Sequence, residues 1–224
     1  MKGCIKFGCI TVVVLLVIAT VAGYFAYRAL THVPQWYVAA LESEEVQQAR
    51  GQQMEQQLKT LAIEVEQSNF WSAKFTAGEL NGWLATHLKE EFPEWLPPGI
   101  DNPRVAIEGD RIRIGAQYTR SGVTTVVHTA AEVELTTEPN VVQVRIDKPQ
   151  AGSIRLPLGQ LMEEASKQAE GREIPLRWEE TDDDPIAYIT LPERSEEVDG
   201  LMIYEELEVR DGAIHVAGRT EKNY

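Results

Sequence analysis

Hydrophobic and polar positions follow three successive patterns along this chain. Phe7 to Tyr27 is an uncharged apolar run of twenty-one residues behind Lys2 and Lys6. From there to about residue 92, apolar residues recur every three or four positions; from Pro103 they alternate every second position. In order, these predict a membrane-spanning helix, helical segments and an antiparallel sheet.

As a helix, the first run reaches ~32 Å, enough to cross a bilayer core. Its middle, Ile10 to Ile18, also has the length of a signal-peptide core, and Thr20-Val21-Ala22 or Val21-Ala22-Gly23 fits a cleavage site. The run continues, however, through Tyr24-Phe25-Ala26-Tyr27 to Arg28. Tyr24, Phe25 and Tyr27, with Trp36 and Tyr37 beyond, have the character of an interfacial aromatic belt. That favours a retained anchor over residues 7–28. Lys2 and Lys6 then keep residues 1–6 in the cytoplasm and put the bulk of this single-pass chain outside the cell membrane.

After Pro34 a Gln-rich helix is expected, roughly from Gln35 to Gln67, with Gly51 as its weak point. Met54, Leu58, Leu61 and Val65 step by 4, 3 and 4, a short coiled-coil seam. The seam suits self-association, a stripe packed on its own domain, or a helical stalk over 35–68. Thr76-Ala77-Gly78-Glu79 is a capping box that opens the next helix, with Phe75 and Leu80 at the staple positions. Leu80, Leu84 and Leu88 form its stripe, and Phe92-Pro93 ends it.

In the alternating region, Gly109-Asp110 predicts a two-residue hairpin pairing Ile107 with Ile112 and Glu108 with Arg111. The next strand, 123–136, sends Val127, Ala131, Val133 and Leu135 inward, and continuing the register puts Glu132 opposite Arg145. A short strand at 151–157 leads into a second amphipathic helix bearing Leu158, Leu161, Met162, Ala165 and Ala169. Strands follow at 174–178, 186–191 and 201–209, and a last hairpin turns at Asp211-Gly212. Its pattern, 207–216, matches that of 105–114, as either internal duplication or hairpin physics would produce. The expected fold is α+β: a transmembrane helix and helical stalk, then an antiparallel sheet domain over 70–224 with two covering helices.

Charge narrows the partners. All 35 acidic residues lie beyond the apolar run, against 19 basic ones there, so the exported portion carries a formal charge of −16. Phosphate backbones and anionic headgroups are repelled by such a surface, which excludes nucleic acid and offers no basic patch to a membrane. Cys4 and Cys9 lie before or inside the run, so no lipoprotein box follows it. The exported part relies on packing, without disulfides or thiolate metal sites.

Catalytic signatures are sparse. The four histidines, at 32, 87, 128 and 215, have no zinc-motif spacing, and no nucleophile elbow, phosphate loop or dinucleotide fingerprint is present. His215 is expected opposite Glu208 on a solvated face, and His128 beside Glu132 and Glu134. Ser121 and Ser153 read as turn and strand-edge residues. The acidic runs 179–184 and 193–199 lack the alternating Ca²⁺-loop pattern and read as solvated loops. No catalytic, metal or cofactor residues are assigned, and no cofactor is expected. The remaining candidate is an apolar ligand or packing cluster of Phe70, Trp71, Phe75, Trp83, Phe92 and Trp95.

Phe75-Thr-Ala-Gly-Glu-Leu-Asn-Gly-Trp-Leu84, the hairpins after it, and Ala151-Gly-Ser-Ile-Arg-Leu-Pro-Leu-Gly-Gln-Leu-Met162 resemble the YpmS-like proteins. That resemblance, over about 75–161, implies a small membrane-anchored extracytoplasmic bacterial protein and carries over no catalytic residues. The Gln-rich helix and the tail after Gly171 depart from it. The expected function is non-enzymatic binding of a lipid or other apolar envelope component. The alternative is a membrane-anchored scaffold that self-associates or engages an envelope protein through the Gln-rich helix.

Overall fold

A computed structural model describes residues 18–179, 184–194 and 198–222. Cys4, Cys9, Lys2, Lys6 and the first half of the apolar run lie outside those residues, as do parts of both acidic runs. Helix α1 occupies residues 18–30. Among the described residues, no helix is long and apolar enough to cross a membrane.

The Gln-rich region forms two helices, α2 (Gln35–Ala39) and α3 (Glu44–Gln67). Glu44 and Glu45 favour the restart, since acidic side chains suit the first turn. Of the readings open for this helix, a stripe packed on its own domain describes it: α3 lies along the capped helix α4 (Ala77–Thr86) and the strand β1 (Phe70–Thr76). Met54 and Val65 of the seam are buried there. Gly51 allows it, because α3 and α4 cross with Gly51 against Gly82.

The capping box forms as predicted: Thr76 Oγ1 accepts from the Glu79 amide, and the Glu79 carboxylate accepts from the Thr76 amide at 2.8 Å. A short helix α5 (Leu88–Glu91) and a 3₁₀ turn (Pro93–Trp95) follow.

All strand pairings are antiparallel, but they make two sheets rather than one. The larger has the order β2 (Ile100–Glu108), β3 (Arg111–Arg120), β4 (Val123–Leu135), β5 (Val141–Ile146), β9 (Ile186–Thr190), β8 (Leu176–Glu179). A side hairpin, β6 (Gln150–Ala151) with β7 (Ile154–Arg155), pairs with the first half of β4. The smaller sheet is β1, β11 (Ala213–Glu221), β10 (Leu201–Arg210). Ile107↔Ile112, Glu132↔Arg145 and Glu208↔His215 stand opposite one another as expected.

The inner face of the larger sheet carries Ile107 and Ile112, which pack with Val209 and Ile214 of the smaller sheet and with Leu80 of α4. A second cluster, Val65, Trp71 and Met202, joins α3 to the smaller sheet. Helix α6 (Leu158–Glu170) departs from the expected pair of covering helices: its described side chains are half-buried or exposed, and its close backbone neighbour is β8.

Candidate functional site

The chain between α1 and the sheets is clamped. Trp36 and Tyr37, expected in an interfacial belt with Tyr24, Phe25 and Tyr27, dock instead on the outer face of the larger sheet. Tyr37 is fully buried and its hydroxyl donates to the Asn102 carbonyl at 2.5 Å. Trp36 lies over Gly115, where a β-carbon would come within 3.0 Å of the indole, and edge-on to His128. Tyr24, Phe25 and Tyr27 remain exposed on α1.

The end of α1 is itself received by the sheet. The Ser153 amide donates to the Ala29 carbonyl at 2.9 Å, and Thr125 Oγ1 donates to the Leu30 carbonyl at 2.5 Å. Gly152, with φ +59°, sits so close that any side chain would collide with both carbonyls. These contacts meet part of the orphan-carbonyl requirement at a helix C-terminus.

Near this seat the inner face changes character. By register, Ile112, Ile114, Ala116, Val127, Ala151 and Ile154 share that face. Ile112 is 9% exposed, yet Ile114, one step along, is 47% exposed and Ile154 40%. Trp178 is on the same face, level with Ala187, Val144 and Val133, and its indole donates to Ser166 Oγ of α6 at 2.9 Å. That bond sets α6 on the inner side, with Leu161 37% exposed. Arg172, just past α6, stacks over Trp95, which is 49% exposed. The inner face thus carries exposed apolar side chains, Ile114 and Ile154, at the end of the sheet that receives α1, an open stretch referred to below as the trough.

The predicted aromatic cluster does not assemble as one site. Trp71 belongs to the core beside Met202 and meets Tyr204 edge-on, and Phe75 is buried on the same side of β1. Phe70 points outward at the sheet edge and is exposed. Trp83, Phe92 and Trp95 form a separate chain of contacts at 6.0 and 5.2 Å between ring centroids. Of the six, Trp95 alone meets the segment just past α6, through Arg172. Ile114, Ile154 and Leu161 were the residues missed; their signal is an apolar sheet face longer than the helix predicted to cover it.

Two clefts flank α3. One of about 580 Å³ against β1 is polar, with Gln53, Gln56, Gln57, Glu64 and Lys74 in its walls. The other, about 420 Å³, is apolar: Leu58, Leu61, Ile63 and Val65 face Val198 and Met202.

Histidines stand in separate surroundings. His215 falls between Lys74 and Glu208 in the smaller sheet, and His128 Nε2 is 3.0 Å from the Gly152 carbonyl. Thr86, His87 and Glu55 have the sequence of contacts of a nucleophile, base and orienter, at 2.7 and 3.5 Å. The Thr86 hydroxyl nevertheless donates to the Gly82 carbonyl at 2.8 Å, so toward His87 it can only accept. His87 cannot take a proton already given to a carbonyl, and the group serves the α3–α4 crossing. Among the described residues, no group of three His, Cys, Asp or Glu side chains is placed to hold a metal.

Comparison with protein-family models, with curated proteins and with solved structures found no match.

Proposed function

We propose that this chain is a single-pass, membrane-anchored envelope protein, with a cytoplasmic amino terminus and an extracytoplasmic domain. The domain acts without catalysis, holding a lipid tail or other apolar envelope component in the trough at the anchor end of the sheet. One observation carries the reading: the inner face is left open at Ile114 and Ile154, beside the seat of α1. Apolar side chains exposed at such a place suit an apolar ligand, since covering them gains roughly 25 cal/mol per Å². The apolar run before residue 28, the interfacial aromatics on α1 and the resemblance to YpmS-like proteins support the anchor.

A photo-crosslinking amino acid at Ile114, in the full chain in its own membrane, tests the reading. Lipid adducts at position 114 and none at Phe70 support it. Adducts to protein alone, or none, reject it.

The apolar groove on α3 favours a second reading, a scaffold acting through protein contacts, because Leu58 and Ile63 stay exposed on a helix that buries Met54 and Val65. Self-association of the full chain in detergent, lost in Leu58→Asp with Leu61→Asp, would support it. A monomer with or without the changes would remove self-association.

A further inference from the structure

The outer face of the larger sheet holds a feature that net charge conceals. A cleft of about 240 Å³ is bounded by Trp36, Arg111, Arg113, His128, Lys148 and Asp147, with Gln150 beside His128. Three cations and an imidazole meet one carboxylate in the lining, in a chain whose formal charge is −14. Strand β3 supplies the two arginines at alternate positions on one face; the loop before β6 brings Lys148, thirty-five residues later, to the same wall.

Most of these groups are held rather than loose. Arg111 is gripped by Glu132 at 2.5 Å and Asp147 at 3.0 Å, and Arg113 pairs with Glu108 at 2.9 Å. All are partly exposed, solvent-screened pairs, so they orient the guanidinium groups without saturating them. Lys148 is exposed and has no ion pair among the described residues. The Gly152 carbonyl can only accept, so His128 presents an Nε2–H to it, leaving Nδ1 free. Trp36 forms the remaining wall because Gly115 gives its indole room.

The cleft also has an address. His128 touches Gly152, and Gly152 abuts the last carbonyls of α1. On the proposed anchor reading, that is the depth of the headgroup layer. We propose that this cleft binds a phosphate group, supplied by an anionic lipid headgroup of the leaflet the anchor enters. Arg113 and Lys148 are its principal donors and Trp36 its aromatic wall. The remaining acidic surface would then be repelled from the same headgroups, so the domain meets those headgroups at this foot.

The test is calorimetric titration of the full chain in neutral detergent with three probes: short-chain phosphatidylglycerol, short-chain phosphatidylcholine and inorganic phosphate. Phosphatidylglycerol is expected to bind at least tenfold more tightly than phosphatidylcholine, with the preference lost in Arg113→Gln with Lys148→Gln. Phe70→Ala, an exposed residue remote from the cleft, should leave it intact. Binding of inorganic phosphate without phosphatidylglycerol would keep the phosphate chemistry and overturn the lipid source. Equal binding of both lipids with no phosphate binding, or a preference untouched by the double substitution, overturns the site. Membrane fractionation of the chain in cells tests the anchor reading separately, so the two can fail independently.

Discussion

Gly51 and Gly82 face each other where α3 crosses α4. A β-carbon on Gly82 would lie 2.5 Å from the Gly51 amide nitrogen and 2.7 Å from the Gln47 carbonyl; one on Gly51 would lie 2.6 Å from Thr86 Oγ1. Each glycine costs its helix about 1 kcal/mol relative to alanine. The close backbone approach that they permit buries Met54 and joins a polar, Gln-rich helix to the domain.

Propensity and packing therefore make opposite predictions for Gly82→Ala. Helix propensity alone would raise stability by about 1 kcal/mol. The clash with fixed backbone atoms should lower it, by about 1–3 kcal/mol. Packing is expected to prevail, with urea unfolding of the full chain showing a lower midpoint. An unchanged or raised midpoint would show that α3 does not pack where it is placed.

Two buried asparagines perform equivalent tasks at opposite ends of the core. Asn81 donates to the Val105 carbonyl and accepts from the Val105 amide, both at 2.8 Å, so α4 completes the hydrogen bonding of an edge strand. Asn140, held at φ +57°, donates to the Met202 carbonyl and accepts from the Tyr204 amide, at 2.8 and 2.9 Å, which ties the two sheets together. Replacing either with leucine strands two buried backbone groups, at about 1–3 kcal/mol each. Asn81→Leu should accelerate hydrogen exchange at the Val105 amide by tenfold or more while leaving Tyr204 protected; Asn140→Leu should do the reverse. Equal acceleration at both amides would mean global unfolding rather than loss of a local tie.

Sheet register is legible in the chain because two-residue turns leave it no freedom. Even the turn type can be read. Gly109 is at φ +63° and Asp110 is not positive, a type II′ pattern, whereas Asp211 and Gly212 are at +53° and +74°, type I′. Strand β1 is harder to see. Trp71, Ala73 and Phe75 do alternate, but the capping box at Thr76 makes them read as the approach to a helix, and the partner strand lies some 140 residues away. For α6 the apolar stripe is plain, while the surface that meets it depends on where β8 and Trp178 fall. Neither the open trough nor the cation cleft has a local signature. Both arise when strands bring together residues such as Arg113 and Lys148, and total charge argues against the second.

Alkaline pH should weaken the clamp at Tyr37. Burial pushes this phenol above its ordinary value of 10.0; nearby Arg104 partly offsets the effect and Asp101 adds to it. A folded pKa above the unfolded one means that the contribution is whole below about pH 10 and is lost as pH rises through the folded value. Tyr204, also raised by burial, adds to the same slope. Tyr37→Phe should thus flatten, without abolishing, the fall in stability above pH 10. At neutral pH it should cost about 1 kcal/mol for the bond to Asn102. A slope identical to that of the unsubstituted chain would rule out the buried phenol as its source.

Gly152 is the position at which α1 and the sheets can be uncoupled with least damage to either. Its positive φ already disfavours a side chain, and valine there would in addition strike the carbonyls of Ala29 and Leu30. Neither core cluster includes it, so the sheets should keep their protection when the seat is lost. Thr125→Val is the milder counterpart, removing only the 2.5 Å bond to Leu30 at about 1 kcal/mol. Hydrogen exchange at the Ser153 amide, which donates to Ala29, reports on the seat directly. It should rise most in Gly152→Val and less in Thr125→Val, with cleavage by added protease growing in the same order across residues 29–34. If Ser153 stays protected in Gly152→Val, the end of α1 is held by something other than this seat. If the core amides exchange with it, α1 and the sheets unfold as one unit, and the seat is not a separable local tie.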